Sequence, residues 1–317
     1  MPDMKKGKTK EEASGAENDG ESKDGEEGLL PGILNDNLRF GMFSRDLILM
    51  VNDAGAVAYD PSGNDCYVAS LSKQIPKNHA SLATKENQIF VIGGLFFDEE
   101  DKDSPVSSYF LQVQVDLKAN KKHQSYMQTV YCRSFKWGES ESLPYPVYGH
   151  ATVSHNDVVY VIGGKGEGKS CMKKMLAYDT RTFEWKELAP MKNARSLCGA
   201  TVHKDRIYVA AGVTDDGLTD SVEVYDINAN KWSDFVAFPH ERSSLNLVSL
   251  AGSLYAIGGF AMVPLEDSDD FVPKEMNDIW RFNESEKKWI GILREIQYAS
   301  GATVLGVRLN TLRLTKM

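Results

Sequence analysis

The chain has 317 residues, 42% of them hydrophobic, and a formal net charge of −9, enough apolar material for a large core in one or two domains. A chain this acidic lacks the basic face that phosphate binding needs, so nucleic acid is not its expected partner. Cys66, Cys132, Cys171 and Cys198 lie far apart with no CxxC pair, which fits a reducing, cytoplasmic compartment and leaves neither a disulfide frame nor a zinc knuckle.

Residues 1–28 hold five lysines and nine acids with almost nothing apolar. Such a segment buries too little to offset its ordering entropy and is expected to be a disordered charged linker. It has no apolar stretch of the kind a signal peptide needs. The apolar run at 47–51 is far too short to cross a bilayer.

From residue 29 onward the chain reads as short strands separated by turns, and 29–317 is expected to form one β domain. Residues 46–51, 56–60 (AVAYD) and 66–71 give three strands. Then an apolar run stops at a pair of small residues, four times over. The four stops are Val91-Ile92-Gly93-Gly94, Val161-Ile162-Gly163-Gly164, Ala210-Ala211-Gly212 and Ala256-Ile257-Gly258-Gly259. The step from Gly163 to Ala211 is 48 residues and the next, to Gly258, is 47. A tryptophan follows each of the last three pairs by 20 to 30 residues: Trp185, Trp232 and Trp289.

A period near 50 with these marks predicts four-stranded blades that cannot cover their own apolar faces and so pack around an axis. The small pairs are expected where the second strand leaves the sheet, with positive φ and room for a neighbouring aromatic ring against the main chain. Tyr178, Tyr225, Trp280 and the late tryptophans are expected in the core.

Two irregularities bear on the ring. Residues 301–305 (GATVL) match the inner strand of GATVH at 199–203, so one blade is expected to be closed by strands from both termini. The step from Gly93 to Gly163 is only 70 residues, too short for two blades, and 113–132 fits no blade pattern. Residues 112–134 are therefore expected to be an irregular, truncated blade of low stability, with strand character resuming at 135–137. The count is one hybrid blade, three clean ones and one composite, five in all.

The combination of Gly-Gly, Tyr-Asp and a late Trp at this period resembles kelch repeats. The stretches LPGILNDNLRFGMFSRDLI, RSLCGATVH, ERSSLNLVSLAGSLYAIGGFA and RLNTLRLTKM are similar to the muscle members of the BTB-kelch (kelch-like) family. That resemblance implies an all-β kelch β-propeller, six-bladed in the family. It implies a substrate adaptor of a cullin-3 ubiquitin ligase, cullin-3 being held by a BTB and BACK region. For the muscle members it further implies binding and stabilising thin-filament proteins of the nebulin and leiomodin type in the sarcomere, at the A band or I band. This sequence begins in what resembles the linker ahead of the propeller and shows no BTB or BACK pattern. It is thus expected to bind protein partners, no membrane and, by itself, no cullin-3.

Chemistry is not expected. Residues 163–170 (GGKGEGKS) fit the phosphate-loop pattern GxxxxGK[ST] after an apolar strand. A phosphate cradle also needs a helix starting at the Lys-Ser, and the next element instead reads as strand. His150, His155 and His203 are candidates for a metal, but His155 and His203 stand just before tight turns, which points to exposure at a rim. Some kelch-type propellers are copper oxidases using a Tyr/Cys/His site, and no local grouping here supplies one. No catalytic residue, no metal ligand and no cofactor is assigned. A propeller enzyme of the metal-oxidase type, and a non-functional chain whose shortened ring folds poorly, are the alternative readings.

The loops are where binding is expected on a rigid scaffold. Residues 95–108 carry Asp98, Glu99 and Asp101; 213–219 carry Asp215 and Asp216; 260–277 carry Glu266, Asp267, Asp269 and Asp270. Only 165–173 is basic. Arg195 and Arg242 occupy equivalent repeat positions between blades, with Tyr148 nearby. An acidic rim with arginines near the axis is expected to hold an extended peptide of mixed charge. The plainer readings are solubility for the acids and hydrogen bonding between blades for the arginines.

Overall fold

The computed structural model describes residues 43–52, 54–71, 80–83, 89–92, 110–113, 115–116, 142–265, 270–297, 299, 301–311 and 314–317. In chain order the first strands are β1 (Ser44–Val51), β2 (Ala56–Asp60) and β3 (Asp65–Leu71). Next come β4 (Ala80–Ala83), β5 (Ile89–Ile92), β6 (Phe110–Val113) and β7 (Val115–Asp116). β8 (Ala151–His155), β9 (Val158–Ile162), β10 (Met175–Asp179) and β11 (Glu184–Leu188) make a four-stranded antiparallel sheet.

The pattern then repeats. β12 (Gly199–His203) and β13 (Arg206–Ala210) are followed by a small hairpin, β14 (Val213–Thr214) and β15 (Gly217–Leu218). β16 (Val222–Asp226) and β17 (Lys231–Asp234) complete that sheet. The next is β18 (Asn246–Leu250), β19 (Ser253–Ile257), β22 (Ile279–Asn283) and β23 (Lys288–Leu293). Between β19 and β22 rises a second hairpin, β20 (Phe260–Pro264) and β21 (Phe271–Glu275). The chain ends in β24 (Thr303–Asn310) and β25 (Thr315–Lys316).

The composite blade is closed by strands from both ends, as expected, but its inner strand starts at Thr303, so Gly301 takes the place of Leu197 rather than of Gly199 as the GATVL match suggested. β24 pairs along the whole of β1, from Ser44 opposite Asn310 to Val51 opposite Thr303. The sheet runs β24-β1-β2-β3-β25, with β7 also on β3. The C-terminal strand at 315–316, on the outer edge, was not legible in the sequence. The inner strands neighbour one another in the order β8, β12, β18, β24, β4, so the sheets stand around a common axis. This is a β-propeller. Among the described residues the blades are I (composite), II (the three-stranded β4-β5-β6), III (β8–β11), IV (β12, β13, β16, β17) and V (β18, β19, β22, β23).

Residues 1–42, Gly93, Gly94 and most of 112–134 lie outside the described residues, and with them the linker and truncated-blade expectations.

Strand alternation explains why the second strands are apolar throughout. Along β13, Ile207 and Val209 pack with Val153, Tyr160 and Met175 of blade III, whereas Tyr208 and Ala210 pack with Leu245, Leu247 and Trp289. A strand sandwiched between two blades is buried on both faces, so it reads as a continuous hydrophobic run rather than an alternating one. Burying each such valine or isoleucine contributes roughly 1.5–3 kcal/mol.

The late tryptophans wedge the blades together. Trp232 donates its indole N–H to Ala189 C=O at 2.8 Å, and Trp289 does the same to Val236 C=O at 3.2 Å. Each acceptor belongs to the segment leaving the preceding blade. Trp185 is half-buried and packs on Tyr178 with ring centroids 4.8 Å apart. Register makes Phe282, not Trp280, the counterpart of Tyr178 and Tyr225: it faces Trp289 as Tyr225 faces Trp232.

The candidate protein-binding face

The small pairs are the hinges from which the loop face grows. Gly163 and Gly258 have φ of 64° and 62°, and Ala211, at the same place in blade IV, has 58°. The second residues, Gly164, Gly212 and Gly259, lie at 92°, 111° and 92°. A Cβ on them would stand 2.8 Å from Tyr148 O, 2.6 Å from Ser196 O and 2.7 Å from Ser243 O. What lies against this backbone is thus the carbonyl of an inter-blade segment, not the aromatic ring expected. The second residue also reaches the next blade: Gly164 N–H donates to Arg195 C=O at 2.8 Å, and Gly212 N–H to Arg242 C=O at 2.6 Å.

Beside these hinges a hydrogen-bonded chain runs around the axis. Leu197 N–H donates to Gly149 C=O, and Ser244 N–H to Leu197 C=O, each at 2.7 Å. Gly149, Leu197, Ser244 and Gly301 occupy one repeat position and all have φ between 50° and 62°. The residues just before the first three, Tyr148, Ser196 and Ser243, bridge to Lys165, Val213 and Phe260. Each loop therefore leaves its blade from a fixed pairing.

The arginines are corrected by the structure. Arg195 is 0% exposed and Arg242 1%, so neither guanidinium reaches a partner. Arg195 Nη1 donates to Ala211 C=O at 3.0 Å and Ser221 C=O at 2.8 Å. Its Nη2 meets Ser221 Oγ at 2.8 Å and Glu223 Oε1 at 2.7 Å. Arg242 Nη1 donates to Gly258 C=O at 2.9 Å, and its guanidinium grips both oxygens of Asp278, at 2.5 and 2.7 Å. Burial works to raise the Asp278 carboxyl, but the bonds from Arg242 and from the Trp280 indole hold it below its ordinary value. These pairs lock the carbonyls left at the small-residue hinges, which is a task inside the fold.

Of the other expected contacts, Tyr148 is 53% exposed on the loop face. Asp215 and Asp216 are exposed at the tip of the β14–β15 hairpin, and Asp215 accepts the Cys171 N–H of blade III at 2.8 Å. Asp270 is exposed at the start of β21. Asp98, Glu99, Asp101, Glu266, Asp267 and Asp269 lie outside the described residues. Large exposed apolar side chains accompany them: Leu197 at 47%, Phe260, Met262 at 46% and Phe271 at 60%. An open hollow of about 450 Å³ lies against the β9–β10 loop, lined in part by Tyr145, Pro146, Met172 and Lys174. Lys174 Nζ sits 4.7 Å from the Tyr145 ring centroid.

The phosphate-loop pattern is spent on the fold. Gly163, Gly164 and Lys165 direct their N–H groups to Lys174, Arg195 and Tyr148 carbonyls at 2.8–2.9 Å, and β10 follows where a helix is required. The histidines do not converge. His203 is buried, against the expectation of rim exposure: Nδ1 meets Ser249 Oγ at 2.8 Å and Nε2 is 3.5 Å from Glu284. His155 faces Asp205 at 3.4 Å. Among the described residues no group of three or more His, Cys, Asp or Glu is placed to hold a metal.

Sequence reading missed Glu223 and Asp278 as arginine partners. Their signal was an acid one residue into, or one before, the third strand of a blade whose inner strand follows an arginine. It also read 260–277 as loop; the two short apolar runs at 260–264 and 271–273, on either side of an acidic stretch, are the sign of the hairpin.

A propeller whose blades hinge at small pairs and open a loop face on one side defines the kelch class of repeat protein. The chain belongs to that family: the KLHDC2/KLHL20/DRC7 kelch-repeats domain matches residues 78–303. Among curated relatives, it is 56% identical to Kelch-like protein 40 of Xenopus laevis over 100% of this chain and 57% of the relative. It is 57% identical to Kelch-like protein 40 of Mus musculus, over 96% of this chain and 54% of the relative. It is 45% identical to Kelch-like protein 41b of Danio rerio, over 91% and 53%. The chain spans about half the length of these curated relatives.

Proposed function

We propose that this chain is a non-enzymatic, protein-binding propeller that takes its partner on the loop face. The observation that carries the reading is the hydrogen-bonded chain from Gly149 through Leu197 to Ser244, which holds the exposed Tyr148, Leu197 and Phe260 on one rigid frame. Preset apolar and aromatic side chains on a stiff scaffold suit recognition, because little ordering entropy is lost on contact.

The kelch-like resemblance supports a finer reading: the substrate-recognition part of a cullin-3 ubiquitin-ligase adaptor, or a stabiliser of thin-filament proteins of the nebulin or leiomodin type in the cytoplasm and sarcomere of muscle. In this reading the propeller itself does not touch cullin-3. Direct titration calorimetry of the chain with nebulin- and leiomodin-type fragments tests it. The expected result is binding at micromolar or tighter affinity, weakened at least about tenfold by Y148A with L197S. No heat with any fragment at about 100 µM would remove the thin-filament assignment. Direct capture of purified cullin-3 by this chain would remove the division of labour.

A further inference from the structure

The wedge between blades III and IV is filled less well than the one between IV and V. In the latter, Phe235 packs on Tyr208 and Phe282, with ring centroids 5.1 and 4.6 Å apart. By register the corresponding residues one wedge earlier are Leu188, Tyr160 and Tyr225, and Ala177 stands where Val224 stands. A leucine for a phenylalanine and an alanine for a valine leave space. An open hollow of about 670 Å³ lies there, with Tyr160, Ala177, Leu188, Tyr225 and Ile227 in its wall. A cavity of roughly 150 Å³ already takes a benzene ring.

A large aromatic side chain stands at the lip. Thr182 and Glu184 line the hollow, and Phe183 between them is 58% exposed. Its φ of 62° lies in the left-handed region, at the place where blades I and IV have Asn64 and Asn230 and blade V has Lys287. An exposed phenyl ring held in a conformation that favours short polar residues is a cost to the isolated chain, and strain of this kind persists where a contact uses it.

The charges at the lip come in both signs. Glu184 and Lys186 are two residues apart on one side of β11 and both are exposed. Among the described residues neither side chain forms an ion pair. Asp179 and Arg181 pair with each other. A knob beside a hollow, with one open charge of each sign, is complementary to itself under a twofold rotation, which is what an isologous contact requires. That favours a second copy as occupant over a partner of one charge sign.

We propose that two copies of this chain dock here about a twofold axis. Phe183 of each copy enters the hollow between blades III and IV of the other, and Lys186 of each meets Glu184 of the other. The contact sits at the end of β10 away from the loops, so the dimer leaves the loop face open, and the two assignments stand or fall separately.

Sedimentation velocity of the chain tests this, at about 150 mM salt, where repulsion between acidic copies is screened beyond about 8 Å. A contact of this size should give a reversible dimer, half-formed at about 10–100 µM. F183S and L188F should each raise that midpoint at least about tenfold; L188F does so by filling the hollow as Phe235 fills the next wedge. E184K and K186E each set like charges against one another and should weaken the dimer at least about threefold. Mixed in equal amounts they should recover the parent's dimer, because every charge across the axis again faces its opposite. Cooperative melts show that each variant is folded. A parent chain that stays monomeric at about 500 µM, a dimer that F183S or L188F leaves as strong, or swapped copies that do not recover on mixing would overturn the assignment. So would a thin-filament fragment that dissolves the dimer and no longer binds F183S, since the lip would then belong to that partner.

Discussion

Arg195 Nη2 lies 2.7 Å from Glu223 Oε1, with both side chains closed to solvent, 0% and 1% exposed. Glu223 also accepts the backbone N–H groups of Lys192 at 2.7 Å and Asn193 at 3.1 Å. Blade V does the same job differently. Arg242 repeats Arg195, but the place of Glu223 is taken by Trp280, and the acid moves to Asp278, where blade IV has Ser221. Blade III has Val147 in place of the arginine and needs no acid.

The first prediction follows from that burial. Removing one member of the pair strands a buried charge, so R195M and E223Q should each cost about 3–5 kcal/mol. R195M/E223L removes both charges and should recover most of the loss. Urea unfolding of the four proteins measures the cycle. A single variant as stable as the parent would show that the pair contributes little.

The repeat and its hinges were legible because each depends on a small local vocabulary. Glycine pairs, Tyr-Asp and late tryptophans are forced by backbone geometry and by wedging between blades, so they recur at fixed spacing. The roles of Arg195 and Arg242 were not, because burial belongs to the assembled ring. An arginine ahead of an inner strand looks the same in sequence whether its head faces solvent or, as here, the hinge carbonyls. His203 was misread for the same reason: the turn that follows it is exposed, but the next blade covers its ring. The hairpin of blade V was hidden by two prolines and an acidic turn, which read as loop.

Acidification should destabilise the chain in two stages. Burial lowers the pKa values of His150 and His203 in the folded state; for His203 the Glu284 carboxylate opposes this and Lys204 adds to it. The unfolded chain then binds more protons than the fold, so stability is complete above about pH 6.5 and falls as the pH drops toward the folded values. Asp278 adds a second stage: its contribution is present above about pH 3.9 and is lost as the pH falls through its lowered folded value. Urea midpoints between pH 8 and pH 3 read both stages. A midpoint that rises between pH 7 and 5.5 contradicts the first.

Gly164 and Gly168 lie four residues apart in one loop and should respond oppositely. At Gly164 a Cβ would sit 2.6 Å from Val147 Cγ2 and 2.8 Å from Tyr148 O at φ 92°, whereas at Gly168 it meets nothing within 4 Å. G164A should cost at least about 2 kcal/mol, because backbone cannot yield as a side chain can. G168A should be neutral within about 0.5 kcal/mol. Thermal melts of both decide it, and equal effects would mean that the hinge is slack.

The last prediction concerns a strained turn that blades I and IV have solved with asparagine, and that blade III fills with phenylalanine and blade V with Lys287 at φ 53°. After the third strand of blades I and IV, Asn64 and Asn230 adopt φ of 54° and 48°. Their side chains accept the hydroxyls of Tyr59 at 2.9 Å and Tyr225 at 2.6 Å. Burial pushes both tyrosines up to about 12, in keeping with hydroxyls that stay protonated donors. At the same place blade III has Phe183, with φ 62° and 58% exposed. A phenylalanine gains nothing from exposure there and bears the left-handed penalty of roughly 1–2 kcal/mol, which asparagine tolerates better. F183N should therefore stabilise the chain by about 0.5–1 kcal/mol and raise the melting temperature by about 1–4 °C. F183G relieves the same strain but loosens the unfolded chain, so it should fall between the two. An F183N protein no more stable than the parent would place the cost of this turn elsewhere.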